Sequence, residues 1–213
     1  MIYYETRSTE ADLSADDLKQ GMVTALKNIG EKHRVLVIPP DYTRLPSRSG
    51  ELTEYCWEYL GDKLTDVLPA LGTHTPMTDE QISHMFGQTS KDLFRIHDWR
   101  NDITTLGTVP AEFVKEVSDG VCDFTWPAQV NRLLVDGGYD LIISIGQVVP
   151  HEVVGMANYN KNILVGTGGT EAIHKSHYIG AAYGMEKMMG RSDTPVRRIF
   201  NYASENFMNQ LPI

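Results

Sequence analysis

The side chains of this sequence that are best suited to chemistry gather in one stretch, PHEVVGMANYNKNILVGTGGTEAIHKSH, residues 150–177. It holds three histidines, Lys161 and a cluster of glycines around a short apolar run. Imidazoles bind metals and exchange protons near neutral pH, and an amine can hold anions or form covalent bonds. A glycine turn before a helix can bind a phosphate. The stretch is therefore consistent with a metal site, a phosphate loop or an ordinary strand with polar ends.

Reactive side chains also follow other apolar runs of the chain. We predict four strands, at residues 34–40, 66–72, 139–146 and 162–165. The residues that follow them are, in order, Asp41, Thr43 and Arg44; His74; Gln147 and His151; and Gly166, Gly168 and Gly169. Strands that alternate with helices predict an α/β fold with a mostly parallel sheet flanked by helices. Because ligands bind beyond the carboxyl ends of such strands, we expect the ligand site at that edge of the sheet.

Capping signals and helical spacing predict the helices that hold this sheet. They are expected at residues 14–30, 52–61, 78–87, 128–136 and 170–189. The first should begin with a capping box of Ser14 and Asp17, and the third with one of Thr78 and Gln81. Residues 88–127 contain two tryptophans and several turn signals, and no topology is predicted for them.

Two common motifs are incomplete. The turn GTGGT has Glu171 where the dinucleotide fingerprint GxGxxG needs its third glycine, and HEVVG has Gly155 where a HExxH zinc site needs its second histidine. The glycines can thus serve tight packing or a phosphate. His174 and His177 lie three residues apart on a predicted helix, where they can share a metal or point apart.

The remaining candidates also have structural interpretations. His74 can be a capping or packing histidine, Arg44 can form a surface ion pair, and Lys161 can be a solvated loop lysine. The histidines that we expect to be structural or superficial are His33, His84 and His97.

Composition limits the class of protein. The 213 residues carry a formal net charge of −9, which argues against nucleic-acid or anionic-membrane binding, because both need basic surfaces. There are only two cysteines, without a CxxC pair, and no signal peptide or membrane-spanning run. We therefore expect a cytoplasmic protein. An apolar segment begins as the chain ends at Ile213, so we also expect it to be part of something longer.

The motifs taken together resemble the lactate racemase family. The pattern is DxTR, GTHxPMT, PHxxxG, a lysine ten positions after that histidine and a histidine sixteen positions later. In this sequence its members are Asp41-Tyr42-Thr43-Arg44, residues 72–78, Pro150-His151, Lys161 and His177. The resemblance covers roughly residues 34–190, and the combination is specific although each piece alone is weak.

The resemblance implies a cofactor and a set of roles. The cofactor is a nickel-pincer nucleotide, pyridinium-3,5-bisthiocarboxylic acid mononucleotide with nickel, joined covalently to Lys161 and ligated by His177. His74 and His151 would be general acid and base, and Arg44 would assist the substrate. The residues implied to hold the nucleotide are Asp41, Thr43, Gly166, Gly168 and Gly169.

The implied reaction is racemisation or epimerisation of a 2-hydroxy acid by transient hydride transfer to the cofactor. Moving the α-hydrogen as hydride avoids a carbanion, and a base must take the hydroxyl proton as hydride leaves. Inversion presents the hydroxyl group on the opposite side, so two histidines are needed, and their ordinary pKa suits both roles.

The chain also departs from the family pattern. Asn158-Tyr159-Asn160 precede Lys161 where lactate racemase has Gly-Gly-Arg, which points to another hydroxy acid. Family members are about twice as long, so we expect residues 1–213 to be a cofactor-binding α/β domain that lacks a C-terminal partner domain. The expected partners are that domain, the substrate and the cofactor-assembly enzymes.

Two alternatives use the same residues. One is a metal-dependent hydrolase or lyase in which His151, His174 and His177 hold zinc or nickel, and Lys161 is dispensable. The other is a nucleotide- or metal-binding module without catalytic activity.

Overall fold

The computed structural model describes all 213 residues, which form seven short strands and nine α-helices. The strands are β1 (Val35–Ile38), β2 (Leu64–Val67), β3 (Ile103–Val109), β4 (Trp126–Asn131), β5 (Leu141–Ser144), β6 (Pro150–His151) and β7 (Gly155–Met156). The helices are α1 (Ala15–Ile29), α2 (Ser49–Leu60), α3 (Asp79–Phe86), α4 (Ala111–Val117), α5 (Leu133–Asp136), α6 (Asn160–Leu164), α7 (Thr170–Tyr183), α8 (Met185–Met188) and α9 (Pro195–Phe207). No helix combines the length and the apolar composition that crossing a membrane requires.

A three-stranded parallel sheet in the order β2-β1-β5 lies at the centre of the fold. Beyond Val67 the chain continues beside β1, because the N–H of Ala70 donates to the carbonyl of Pro39 over 2.7 Å. This extension ends with Ala70 opposite Pro40. The residues that follow both strands are therefore brought to the same edge of the sheet.

Both faces of the sheet are covered, which explains why β1 is apolar throughout. Successive side chains of a strand point to opposite faces. Leu36 and Ile38 join a core of 27 buried residues, whereas Val35 and Val37 join a second core of seven. The larger core also receives the antiparallel ribbon of β3 and β4, together with α7 and α9. The predicted α/β class, with helices around a parallel sheet, is confirmed.

Several predicted elements are also confirmed. Both capping boxes are present, at Ser14 with Asp17 and at Thr78 with Gln81. The helix predicted from residue 170 begins there as α7, but it breaks at Gly184, whose φ is +111°, and continues as α8.

The strand predicted at residues 162–165 is wrong. This segment belongs to the short helix α6 and the turn after it, and Ile163, Leu164 and Val165 are all buried. A short run that is apolar on every side has no periodicity that separates a strand from a buried helix.

Two other predicted elements need correction. The helix predicted at residues 128–136 begins only at Leu133, because the first part of that segment is β4 and pairs with β3. The strand predicted at residues 66–72 is β2, which starts earlier and ends at Val67, two residues before Pro69.

The packing of α2 against α3 generates a prediction about Gly50. A Cβ atom at Gly50 would lie 1.8 Å from the carbonyl oxygen of Met85. This oxygen belongs to the backbone of α3, so it cannot easily move away. We expect Gly50→Ala to lower the free energy of unfolding by about 1–3 kcal/mol, although alanine is the better helix former. Chemical denaturation monitored by circular dichroism measures this change.

Gly21→Ala is the matched control, because Gly21 is also inside a helix and its added Cβ meets only the ring of Tyr4. The half-exposed Tyr4 ring can move away, so this variant should gain up to about 1 kcal/mol from helix propensity. Equal effects of the two substitutions would contradict the close helix contact.

Candidate functional site

A polar cleft of about 530 Å³, partly open to solvent, lies beyond the carboxyl ends of the three parallel strands. The charged groups on its walls are Asp41, Arg44, His74 and Lys161. These residues come from segments that are far apart in the sequence, as expected for an α/β sheet.

Asp41 and His74 form a hydrogen-bonded pair on one wall of the cleft. A carboxylate oxygen of the buried Asp41 lies 2.6 Å from Nδ1 of His74, and its other oxygen accepts from the hydroxyl of Thr43 over 2.5 Å. In the neutral imidazole the carboxylate selects the Nδ1–H tautomer, and Nε2 of His74 then keeps a free lone pair. Both oxygens of Asp41 are thus already engaged by the protein, which assigns this carboxylate to orienting His74 and Thr43.

His151 has the opposite arrangement. Its Nδ1 accepts hydrogen bonds from the backbone N–H groups of Val153 (3.1 Å) and Val154 (3.4 Å). Burial, followed by the positive charge of Lys161, lowers the pKa of His151 to about 4. The imidazole is therefore neutral at pH 7 and carries its proton on Nε2. A carboxylate oxygen of Glu152 lies 3.7 Å from Nδ1, but an unprotonated nitrogen forms no ion pair with it.

His151 is buried beside the cleft and does not line it. Its pKa is nevertheless affected by the charges of Lys161, His177 and Arg44, which places these four side chains in one neighbourhood.

Lys161 projects into the cleft from the first turn of α6. Burial, followed by the positive charge of Arg44, lowers the pKa of this amine to about 8. The lysine follows two residues in the left-handed region, Asn158 (φ +68°) and Tyr159 (φ +56°). Such conformations cost about 1–3 kcal/mol each and are concentrated at functional sites.

Asn158 carries an unused acceptor beside this lysine. Its side-chain amide donates to the carbonyl of Gly146 over 2.9 Å, whereas its Oδ1 is buried without a hydrogen-bond partner and lines the cleft. A Cβ at Gly146 would lie 2.6 Å from that oxygen, so a larger residue there would displace the Asn158 side chain. The free oxygen is a place for a donor group of a ligand.

Gly166, Gly168 and Gly169 are not brought to the cleft. All three are buried, and a Cβ on Gly166 would lie 2.4 Å from the carbonyl of Asn162. The Gly168 carbonyl accepts from Nε2 of His97, a buried histidine, as we expected of a structural one. Tight packing, the structural interpretation of these glycines, accounts for their positions.

His174 and His177 point to different surroundings although both are exposed on α7. The ring of His174 lies edge-on to Trp99, with centroids 5.9 Å apart. Nδ1 of His177 lies 2.7 Å from the carbonyl of Ile173, which accepts its proton and leaves the Nε2 lone pair free. Metal-binding histidines are commonly oriented by such a second hydrogen bond. No three His, Cys, Asp or Glu side chains converge in a metal-binding group.

Sequence reasoning overlooked Glu152 and Arg197, which also act on the charge of Lys161. Glu152 is adjacent to His151, so the position of that motif could have indicated it. Nothing in the local sequence indicates that Arg197 is buried.

A family model described as the lactate racemase N-terminal domain, Lar_N, matches residues 17–189. The chain belongs to the lactate racemase N-terminal domain family. A lactate racemase from Thermoanaerobacterium thermosaccharolyticum is 26% identical over 214 residues, which cover 95% of this chain and 46% of that protein.

Solved structures are also similar to this member of the family. A Thermotoga maritima protein has 31% identity and a TM-score of 0.82, and the match covers 91% of this chain and 47% of that one. The lactate racemase apoprotein from Thermoanaerobacterium thermosaccharolyticum has 23% identity and a TM-score of 0.58, with 91% and 42% coverage, and supports the fold. The chain thus spans slightly less than half the length of these relatives.

The hydrogen bond between Asp41 and His74 generates a prediction about tautomers. In Asp41→Asn the amide can donate to Nδ1, so we expect His74 to change from the Nδ1–H to the Nε2–H form. The same change of tautomer follows when the aspartate of a Ser-His-Asp triad is replaced by asparagine. Nitrogen chemical shifts of a ¹⁵N-histidine-labelled protein distinguish the two forms.

Thr43→Val is the control for this experiment. It removes the hydroxyl group that donates to the other oxygen of Asp41 and leaves the contact with His74 intact. The Nδ1–H form should persist in this variant, and its persistence in Asp41→Asn as well would show that Asp41 does not set the tautomer.

Proposed function

We propose that this chain is the cofactor-binding part of a nickel-pincer nucleotide-dependent racemase or epimerase of a 2-hydroxy acid. The observation that carries the proposal is the cleft in which Lys161, an amine with its pKa lowered to about 8, shares the walls with Arg44 and the Asp41–His74 pair. Membership of the lactate racemase N-terminal domain family supports the same reaction class.

The side chains present fit the cofactor. Lys161 would carry it through Nζ, because a lysine with a lowered pKa has an available lone pair. His177 would ligate nickel through its free Nε2. The partnerless Oδ1 of Asn158 would accept a hydrogen bond from a donor such as a ribose hydroxyl. The bound cofactor would accept, as hydride, the hydrogen on the α-carbon of the substrate.

His74 and His151 are the two proposed acid–base groups, and the structure prepares them differently. When neutral, His74 has an unprotonated Nε2, which can accept the proton of a substrate hydroxyl group. Neutral His151 keeps Nε2–H, which can donate a hydrogen bond to a substrate oxygen, and it would have to gain a proton at Nδ1 before it could act as the acid.

Arg44 would hold the carboxylate of the substrate. It lines the cleft, and no carboxylate of the protein forms an ion pair with it, so its guanidinium is free for bidentate binding. In a chain of net charge −9, this local group of cations is what would attract an anion.

The substrate and the partners are part of the proposal. Asn158-Tyr159-Asn160 stand before Lys161 where a Gly-Gly-Arg run is expected for lactate racemase, and we therefore propose a hydroxy acid other than lactate. A second domain would complete the substrate site, in agreement with the greater length of the relatives. Enzymes that assemble the cofactor would have to act before this chain can bind it.

The metal-hydrolase alternative lacks support in the arrangement of its three histidines. His174 packs against Trp99, and it does not join His151 and His177 in a metal-binding group. A non-catalytic binding module would use the same cleft and would differ in showing no turnover when the second domain is supplied.

Covalent attachment at Lys161 is the first test of the proposed function. The chain produced together with the cofactor-assembly enzymes should show a nucleotide-sized increase in intact mass. Lys161→Ala should abolish this increase, because it removes the only amine that lines the cleft. Lys187→Ala is the matched control, because Lys187 lies on a different helix, α8, and this variant should keep the adduct. An adduct that persists in Lys161→Ala would contradict the assignment of the tether.

Nickel binding should depend on His177 and not on His174. We expect His177→Ala to lose at least about tenfold in nickel content, as removal of a metal ligand or its support does, while the lysine adduct survives. Elemental analysis together with intact mass measures both. His174→Ala should keep nickel, and nickel loss in that variant alone would move the ligand to His174.

A further inference from the structure

Arg197 is a buried cation that has no acidic partner. It lies in the first turn of α9, and only 7% of its surface is exposed. Its guanidinium donates to the side-chain oxygen of Asn160 and to the backbone carbonyl of Met156. Burying a charge against neutral partners costs free energy. Its position therefore needs an explanation other than stability.

The partners of Arg197 flank the turn that precedes Lys161. Met156 lies before the two left-handed residues of this turn, and Asn160 lies after them. One planar guanidinium thus joins both sides of a strained segment. Arginine suits this task because its donors have a fixed geometry.

Neighbouring bonds attach the same two stretches of chain to one another. The further pairs are Gly190 N–H to the Gly155 carbonyl (2.9 Å), the Thr194 hydroxyl to the Val154 carbonyl (2.9 Å), and the Asn160 amide to Asn201 Oδ1 (2.9 Å) and Ser204 Oγ (3.1 Å). Residues 190–204 therefore hold residues 154–160 along their length. They lie beyond residues 17–189, the part matched by the family model.

We propose that Arg197 is a positioning residue for Lys161: its guanidinium ties together the two ends of the strained turn in front of the lysine. The inference rests on the proposed function, in which Lys161 carries the cofactor. It adds a residue, and a segment of chain, that none of the sequence motifs contains.

The charge of Arg197 acts on the lysine in the same direction as burial and Arg44. The charged groups that influence the pKa of Lys161 are Arg44 and Arg197, which lower it, and Glu152 and Asp41, which raise it. With a pKa of about 8, about a quarter of the amine is uncharged at pH 7.5, compared with about one part in a thousand for an ordinary lysine. Only the uncharged amine can form a covalent bond.

Competitive acetylation of the full chain at a series of pH values tests this inference. Mass spectrometry of the peptide that contains Lys161 gives the pH midpoint of its reactivity, on protein produced without the cofactor-assembly enzymes. We expect a midpoint near 8 for the wild type. Arg197→Gln should raise it, and a rise of about one pH unit would reduce labelling at pH 7.5 about eightfold.

Arg198→Gln is the matched control, because Arg198 is the next residue, is exposed and pairs with Asp193. It should leave the midpoint unchanged. Arg197→Lys keeps the positive charge and loses the planar fork, so its midpoint should rise by less than that of Arg197→Gln. A purely structural role for Arg197 would make the Lys and Gln variants behave alike.

The outcomes separate this inference from the proposed function. A folded Arg197→Gln protein with the wild-type midpoint would overturn the role of Arg197. If Arg197→Gln does not fold, a wild-type midpoint in Arg197→Lys would overturn it. When the chain is produced with the assembly enzymes, absence of the adduct from the wild type contradicts the proposed function alone, because the acetylation midpoint does not depend on the cofactor.

Discussion

Parallel pairing of β1 with β2 is the constraint on which the site depends. The extension of this pairing to Pro40 and Ala70 brings the two chain segments side by side as they leave the sheet. Asp41 and His74 are 33 residues apart in the sequence, and their contact exists because both follow strands that end at one edge. A shift of one residue in this register would turn alternate side chains to the other face and separate them.

The second constraint is electrostatic. A chain with net charge −9 gathers Arg44, Lys161 and Arg197 in one region, and two of them are partly or wholly removed from water. Burial and like charge both disfavour the protonated amine of Lys161. The cores on both faces of the sheet offset the free energy that this arrangement costs, because they bury 34 apolar residues in all. The lowered pKa of Lys161 thus depends on the stability that these apolar cores provide.

Much of the organisation could be predicted from local sequence. The capping boxes at Ser14 and Thr78 depend on residues three positions apart, and the apolar run of β1 is bounded by prolines, so both were identified. Residues 162–165 were assigned to a strand, because their burial on all sides removes the periodicity that distinguishes a helix. The clustering of Asp41, Arg44 and His74 followed from the order of strands and polar residues. Lys161 was included through the family resemblance, because the strand predicted after it is the helix α6.

By itself the sequence determined which reactive groups exist, where helices begin and which polar residues follow the central strands, since these depend on neighbours along the chain. Only the tertiary structure decided the tautomer of His74, because its partner is a carboxylate 33 residues away in the sequence. The partners of His151 and His177 are backbone groups within four residues, so local structure sets those two tautomers. The tertiary structure also placed the glycines of the GTGGT turn in the interior and joined the buried Arg197 to the carbonyl of Met156. These contacts form between atoms that come together only when separate segments of the chain pack. Composition and residue spacing therefore do not predict them.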